Sequence, residues 1–305
     1  MKVLWSAPYE AFPRNRVYDD LEFLFEEGDC DVWVVDPIRE VTSEQIESKP
    51  SLKLIVTPST GTDHLPLAMW KQKPRRKVDY LCLLDDREGL EKITASSEFT
   101  FLLILAALRR FHVGYLQLKS KRPRDEHVFR GNELQGKNVG LVGYGRIGRN
   151  VARYCLAFGA NRVRYYDPYV RLSVKLDDIL QQSDIVVICC AFTSETERMI
   201  RKEHLEMLPE GAVLVNVARG EVIDQLGFEF VLGKRPDLRV ALDVLPGEAI
   251  GKHLDNPILD HPHVICTPHM AGITQESQEK AARIVLGLIE QWATNHARIE
   301  RDGRR

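Results

Sequence analysis

Short runs of β-branched and aliphatic residues alternate with stretches of helical periodicity from one end of the chain to the other. That alternation is the mark of βα units feeding a parallel sheet, and it predicts an α/β fold. In the first third the predicted strands are Lys2–Trp5, Asp31–Val35, Leu52–Thr57 and Asp79–Leu84. A long helix is predicted over Thr94–Leu118, with Glu98 near the positive end of its dipole. Lys119–Asn132 is charged and carries Pro123 and Gly131, so it reads as a surface connection. A second series opens at Lys137, with strands at Asn138–Val142, Arg162–Tyr166, Asp184–Cys190, Ala212–Asn216, Arg239–Asp243 and His263–Cys266. Its helices fit Arg146–Phe158, Leu176–Gln182, Lys202–Leu208 and Gln225–Leu232. A final amphipathic helix, Gln275–Asn295, gathers Ile284, Val285, Leu288, Ile289 and Trp292 on one face.

The length of 305 residues suggests two domains, and 44% hydrophobic with 28% charged residues is an ordinary globular balance. A formal charge of −2 makes no field that would gather nucleic acid or an acidic membrane, so neither partner is expected. The basic end, Arg298–Arg305, reads as a solvated tail. The strongest apolar run, Phe99–Leu108, is far below the roughly 18 residues of a membrane span. The start of the chain is a short apolar stretch followed directly by a polar one with proline, so no targeting segment is expected. Cys30, Cys82, Cys155, Cys189, Cys190 and Cys266 are scattered without metal-type spacing. They read as reduced core cysteines of a cytoplasmic protein that holds no metal.

Chemistry enters at Gly143-x-Gly145-x-x-Gly148, directly after an apolar strand and at the start of a helix. The first glycine allows the tight turn, the second lets backbone approach a pyrophosphate, and the third lets helix and strand pack closely. The helix start offers amides and a positive dipole end to the phosphates. Asp167 ends the next strand, 19 residues beyond Gly148, where a carboxylate accepts from ribose hydroxyls. Tyr144, Arg146 and Ile147, between the glycines, are cofactor-binding candidates with them. Asp167 would repel a 2′-phosphate and Pro168 follows it, which favours NAD over NADP, although Arg164 and Arg171 stand nearby.

Reduction of a 2-oxo acid needs a cation for the carboxylate, an acid for the carbonyl oxygen, and a carboxylate to orient that acid. Arg219 in Asn216-Val-Ala-Arg-Gly220, Glu248 after Asp243-Val-Leu-Pro-Gly247, and His269 in Thr267-Pro-His-Met-Ala-Gly272 are suitable types. Each follows a predicted strand of the second series, where ligands of doubly wound sheets collect. Taken singly, Arg219 reads as well as a surface turn residue, Glu248 reads as a loop carboxylate, and His269 is one of nine histidines with nothing to mark it out.

Taken in order, GYGRIG with Asp167, NVARGEVID, ALDVLPGE and TPHMAG resemble the D-isomer-specific 2-hydroxyacid dehydrogenases over almost the whole chain. The resemblance implies Arg219 as substrate anchor, His269 as acid/base and Glu248 as its partner. It places Asp243 at the nicotinamide carboxamide, Ala191 and Thr193 at the adenosine ribose, and Ala218 and Gly272 beside the cofactor. Ser59-Thr-Gly-Thr-Asp-His64 resembles the family's glycine loop, with Thr60 and Gly61 holding the substrate carboxylate. It implies two Rossmann/flavodoxin-like doubly wound domains, the NAD domain (106–274) inserted into a substrate domain (1–105 plus 275–305). The active site is then expected in the cleft between them, and the assembly as a homodimer.

Two departures bear on the substrate. Where the family has a short Asn-x-Pro-Gly-type loop, this chain has the longer, charged Leu83–Lys92, read as a loop that either is solvated or brings Arg87 or Lys92 to a larger acid. Glu248 is followed by Ala249 rather than Pro. The chain ends soon after its last helix, so no regulatory domain is expected. Two other readings share these motifs: a noncatalytic NAD(H)-sensing protein, and a dehydrogenase of a sugar-derived acid.

Overall fold

The structure, a computed structural model, describes residues 1–8, 21–66, 77–247 and 256–302. The chain divides into two compact units, Met1–Ile93 with Thr274–Arg305, and Thr94–Ile273.

The first unit is built on β1 (Lys2–Trp5), β2 (Glu22–Leu24), β3 (Val32–Val34), β4 (Leu54–Thr57) and β5 (Asp79–Cys82). All pair in parallel in the order β2-β1-β3-β4-β5. A parallel sheet must be covered on both faces, and the strands read accordingly as continuous apolar runs. Val3, Trp5, Val32, Val34, Leu54 and Val56 point to one core, while Leu4, Trp33, Val35 and Ile55 point to the other. The long C-terminal helix (Gln275–Asp302) closes the first face with Ala282, Val285, Leu286 and Ile289, and Trp292 Nε1 donates to Asp79 at 2.9 Å.

Residues 83–92 are not the charged loop expected. A 3₁₀ turn (Leu83–Asp85) leads into a short helix (Arg87–Glu91) whose start is capped by Asp86 accepting from the Gly89 amide at 2.9 Å. Leu83 and Leu90 enter the core with Ile284 and Val285, which turns a polar-looking segment into structure.

The second unit carries β6 (Asn138–Val142), β7 (Arg162–Tyr166), β8 (Ile185–Ile188), β9 (Val213–Asn216), β10 (Arg239–Leu242) and β11 (Val264–Cys266). Their order is β11-β10-β9-β8-β6-β7, all parallel. From β6 the chain goes to β7 on one side and then to β8 on the other, so the strand order reverses between β6 and β8. A crevice opens at such a switch point, beyond the strands' carboxyl ends. One face packs Leu141, Val187 and Val215 against a helix at Ala95–Leu108 and another at Arg146–Ala157. The other face packs Ile188, Leu214 and Leu242 with Ile179, Leu205 and Phe228 from the remaining helices.

Two expectations change here. The division falls after Ile93 rather than near residue 105, because Leu103, Ile104, Ala107 and Leu108 all bury with Leu141 and Val151. The single helix expected over Thr94–Leu118 breaks at Arg110, which takes a left-handed φ of 51°, and restarts as Phe111–Lys119. The break has tertiary causes: the Leu108 carbonyl accepts from the Asn132 amide at 2.8 Å and from Arg239 Nη1 at 3.0 Å. The connection expected at Lys119–Asn132 contains one helical turn, Glu126–Phe129.

Candidate active site

Gly143 leaves β6 with φ +100°, and a Cβ there would stand 2.7 Å from the Cys190 backbone at the end of β8. Only glycine lets the two strands come this close at the switch point. At Gly148 a Cβ would collide with the Gly143 carbonyl, so the helix Arg146–Ala157 can start directly above the turn only without a side chain there. The Cys189 thiol, whose pKa burial pushes up, donates to that same carbonyl at 3.2 Å.

Gly145 is different. It is the N-cap of the helix, no side chain caps the helix start, and nothing lies within 4 Å of where its Cβ would be. An open space in front of an uncapped helix start, with the positive end of its dipole, fits a pyrophosphate. Asp167 closes the turn: its Oδ2 accepts from the Tyr144 amide at 2.8 Å and its Oδ1 from the Tyr169 amide at 3.0 Å. A carboxylate has about four acceptor sites, so capacity remains for ribose hydroxyls. Arg164 is turned away onto Gln182 at 2.8 Å, and the Tyr144 ring stacks on Tyr165 at 3.8 Å. Ala191 and Thr193 follow β8 in an exposed turn tied by the Thr196 hydroxyl, which donates to the Ala191 carbonyl at 2.8 Å. These residues together fit a dinucleotide.

The polar residues after β9, β10 and β11 are linked by hydrogen bonds. Asn216, buried at the end of β9, accepts from the Ala218 amide at 3.0 Å and donates to the Arg219 carbonyl at 3.0 Å. It thereby shapes the turn that carries Arg219, whose Nη1 donates to the Ala218 carbonyl at 2.8 Å. Gly220 lies so close to the Leu245–Pro246 backbone that a Cβ has no room. Asp243, one residue past β10, is only 1% exposed. Its amide donates to the Asn216 carbonyl, and its carboxylate accepts from Thr267 Oγ1 at 2.6 Å and the Met270 and Ala271 amides at 2.9 Å each. The half-buried His269 sits inside that bonded turn with a left-handed φ of 52°, its amide donating to the Asp243 carbonyl at 2.8 Å.

The turns of Arg219 and His269 are therefore linked through two buried residues: the Asn216 side chain holds the first, the Asp243 carboxylate holds the second, and the Asp243 amide donates to the Asn216 carbonyl. The sequence offered Asp243 as a cofactor contact; in the structure both its oxygens serve the His269 turn. Asn216 and Thr267 had no part in the expectation, and the one available signal was a polar residue ending each of two apolar strands. Gly272 ends the His269 turn 3.6 Å, measured from a Cβ position, from Ser96 Oγ. Glu248 lies outside the described residues. Thr60 and Gly61 belong to the first unit, in a loop after β4 where Ser59 Oγ donates to the Gly61 carbonyl at 2.7 Å and His64 Nε2 lies 3.0 Å from Thr57 Oγ1. Among the described residues no group of three or more His, Cys, Asp or Glu is placed to hold a metal ion.

Residues 101–271 match the family model described as the NAD binding domain of D-isomer specific 2-hydroxyacid dehydrogenase. The chain is 31% identical over 280 residues to D-3-phosphoglycerate dehydrogenase of Methanocaldococcus jannaschii, covering 88% of this chain and 51% of that protein. It is 30% identical over 270 residues to hydroxypyruvate reductase of Thermotoga maritima, covering 86% and 84%. The chain thus spans about half the length of the phosphoglycerate dehydrogenases it matches. Among solved structures it is similar to D-lactate dehydrogenase from Aquifex aeolicus complexed with NAD and lactic acid, with TM-score 0.79 and 26% identity over 97% of this chain and 96% of that one.

Proposed function

The chain belongs to the D-isomer-specific 2-hydroxyacid dehydrogenase family, and from that premise we propose that it interconverts a small 2-hydroxy acid and its 2-oxo acid, using NAD. The observation that carries the reading is the chain of hydrogen bonds through Asn216 and Asp243 that joins the Arg219 and His269 turns at the carboxyl ends of neighbouring strands. When bound, NAD takes up or gives the hydride. Gly143 and Gly148 let the turn close, Gly145 leaves room for its phosphates, and Asp167 takes the ribose hydroxyls. That carboxylate, with Arg164 engaged on Gln182, supports NAD over NADP.

Arg219 holds the acid's carboxylate through its planar fork and polarises the carbonyl oxygen. His269 gives a proton to that oxygen in reduction and takes it back in oxidation, with Glu248 orienting the imidazole. The Thr60 and Gly61 amides add donors for the carboxylate. We further assign a homodimer to the exposed apolar side chains Phe111, Tyr115, Leu116 and Leu118 of one short helix, and a cytoplasmic setting to six free thiols.

The test is loss of reduced-nicotinamide absorbance against a panel of 2-oxo acids from glyoxylate and pyruvate to sugar-derived acids, with NADPH in parallel. Turnover that disappears in His269→Ala, with NADH binding retained, is the expected result. NADH binding without turnover on any acid would replace the enzyme with a sensor of the cofactor's redox state.

A further inference from the structure

We infer that the second unit holds another ligand site, for a small phosphate monoester, in a cavity walled by Arg110, Arg239 and His263 at the amino edge of its sheet. Gly211 stands just before β9, Arg239 opens β10 and His263 precedes β11, and all three border the cavity. Because the strands are parallel, this edge is opposite the one that carries Gly143, Arg219 and His269. Its volume of about 400 Å³ is in the range of small-molecule sites and exceeds a lone phosphate.

The wall is crowded with cationic and imidazole groups. Arg239 Nη1 donates to the Leu108 carbonyl at 3.0 Å, and Arg110 Nη2 lies 3.4 Å from His263 Nδ1. His261 packs edge-on against His263 with centroids 5.8 Å apart. His112 stands behind, its Nε2 3.2 Å from the Pro262 carbonyl and its buried Nδ1 without a partner. Burial and the neighbouring Arg110 push the Arg239 pKa down, and burial followed by Arg110, His261, His112 and Arg239 lowers that of His263.

The acidic side of the cavity does not answer this charge. Asp237 is held by Arg235 at 2.9 and 2.7 Å and by the Gly211 amide at 2.8 Å, which together set its pKa at about 2. Glu210 is exposed. Among the described residues, no carboxylate is within ion-pair distance of Arg110 or Arg239. One arginine suffices to cap the Leu108 carbonyl; the second reaches only the His263 ring, at 3.4 Å, and holds no carbonyl or carboxylate with its guanidinium among the described residues. Two guanidinium groups with an imidazole match a tetrahedral dianion. The remaining volume takes a small organic group, and Glu210 disfavours a longer polyphosphate.

The experiment titrates the whole chain at constant ionic strength with inorganic phosphate and, separately, glycerol 3-phosphate. It reads the His263 ring resonances, assigned with His263→Gln. A saturable shift with a Kd of about 1 mM or below is expected, at least about tenfold weaker in Arg110→Gln and in Arg239→Gln. If Arg239→Gln does not fold, Arg110→Gln decides, since that side chain leaves the helix cap in place. Glycerol 3-phosphate is expected to bind more tightly; equal affinities would assign the cavity to free phosphate and overturn the ester. A linear shift, or unchanged affinity in the variants, overturns the site. So does a shift that follows protein concentration without phosphate, which would give the cavity to a second copy of the chain.

Discussion

Replacing Asp243 by Asn keeps the side chain's shape and removes only its charge and one acceptor. Three donors converge on the carboxylate: Thr267 Oγ1, the Met270 amide and the Ala271 amide. The best amide orientation keeps its oxygen toward Thr267 and Met270, and its NH₂ then faces the Ala271 amide. One buried N–H is left unmade, at about 1–3 kcal/mol. The other two bonds lose their charge assistance, which brings the total to about 2–4 kcal/mol. A left-handed φ at a non-glycine residue itself costs about 1–2 kcal/mol, so the His269 turn relaxes once its mooring weakens.

If that energy falls on placement of the imidazole, kcat/KM drops about 30- to 1,000-fold, at 1.36 kcal/mol per decade. The drop should lie mainly in kcat, with NADH affinity from fluorescence titration changed by no more than about threefold. Thr267→Val removes one of the three bonds to the carboxylate, with a long 3.4 Å contact to the Leu242 carbonyl, and should lose about five- to tenfold. Steady-state NADH oxidation of the whole chain, with thermal melts to confirm folding, makes the comparison. Asp243→Asn with intact kcat and weakened NADH binding would take this role from Asp243, because the carboxylate would then serve the cofactor and not the turn.

Adding one methyl group separates the glycines. Gly145→Ala should melt like the parent yet bind NADH at least about tenfold more weakly, since its Cβ meets open space on the phosphate side. Gly143→Ala should instead lower the melting temperature, through its positive φ and the Cys190 backbone 2.7 Å away. Asp167→Ala should narrow the preference for NAD over NADP; an unchanged ratio would take Asp167 out of the ribose site. The Asp237 pKa is depressed, to about 2, first by its bonds to Arg235, so its contribution is present above the unfolded value of 3.8 and fades as pH falls toward 2. Urea unfolding of Asp237→Asn should show a loss of about 1–2 kcal/mol at neutral pH, discounted for partial exposure, that shrinks below about pH 4. A loss independent of pH would break the link to that ion pair.

Elements with strong local signals are legible along the chain itself. β1, β6 and β7 run over the residues their apolar patterns mark, as do the helices Leu176–Gln182 and Gln225–Leu232. The glycine spacing locates the turn after β6, because each glycine answers a steric demand that neighbouring residues already imply. Other elements carry weak local signals. β2 is three half-exposed or exposed residues that become a strand only by pairing with β1. The helix Arg87–Glu91 rests on Leu90 reaching a core it shares with residues some 190 positions later in the sequence.

Chain order alone could not say that β8 lies beside β6, which creates the crevice, or that Arg239 ends a helix 131 residues before it. Residue type made Arg219 and His269 suitable, since few side chains can anchor a carboxylate or pass a proton near neutrality, and the ordered motifs around them implied their roles. The task of Asp243 was decided only by folding. Its three donors come from residues 24 to 28 positions away, brought to it where β11 lies beside β10. Periodicity and sterics act over a few residues and can be read along the chain. Hydrogen-bond satisfaction and charge crowding depend on which distant segments share a low-dielectric space, and the tertiary structure alone sets that.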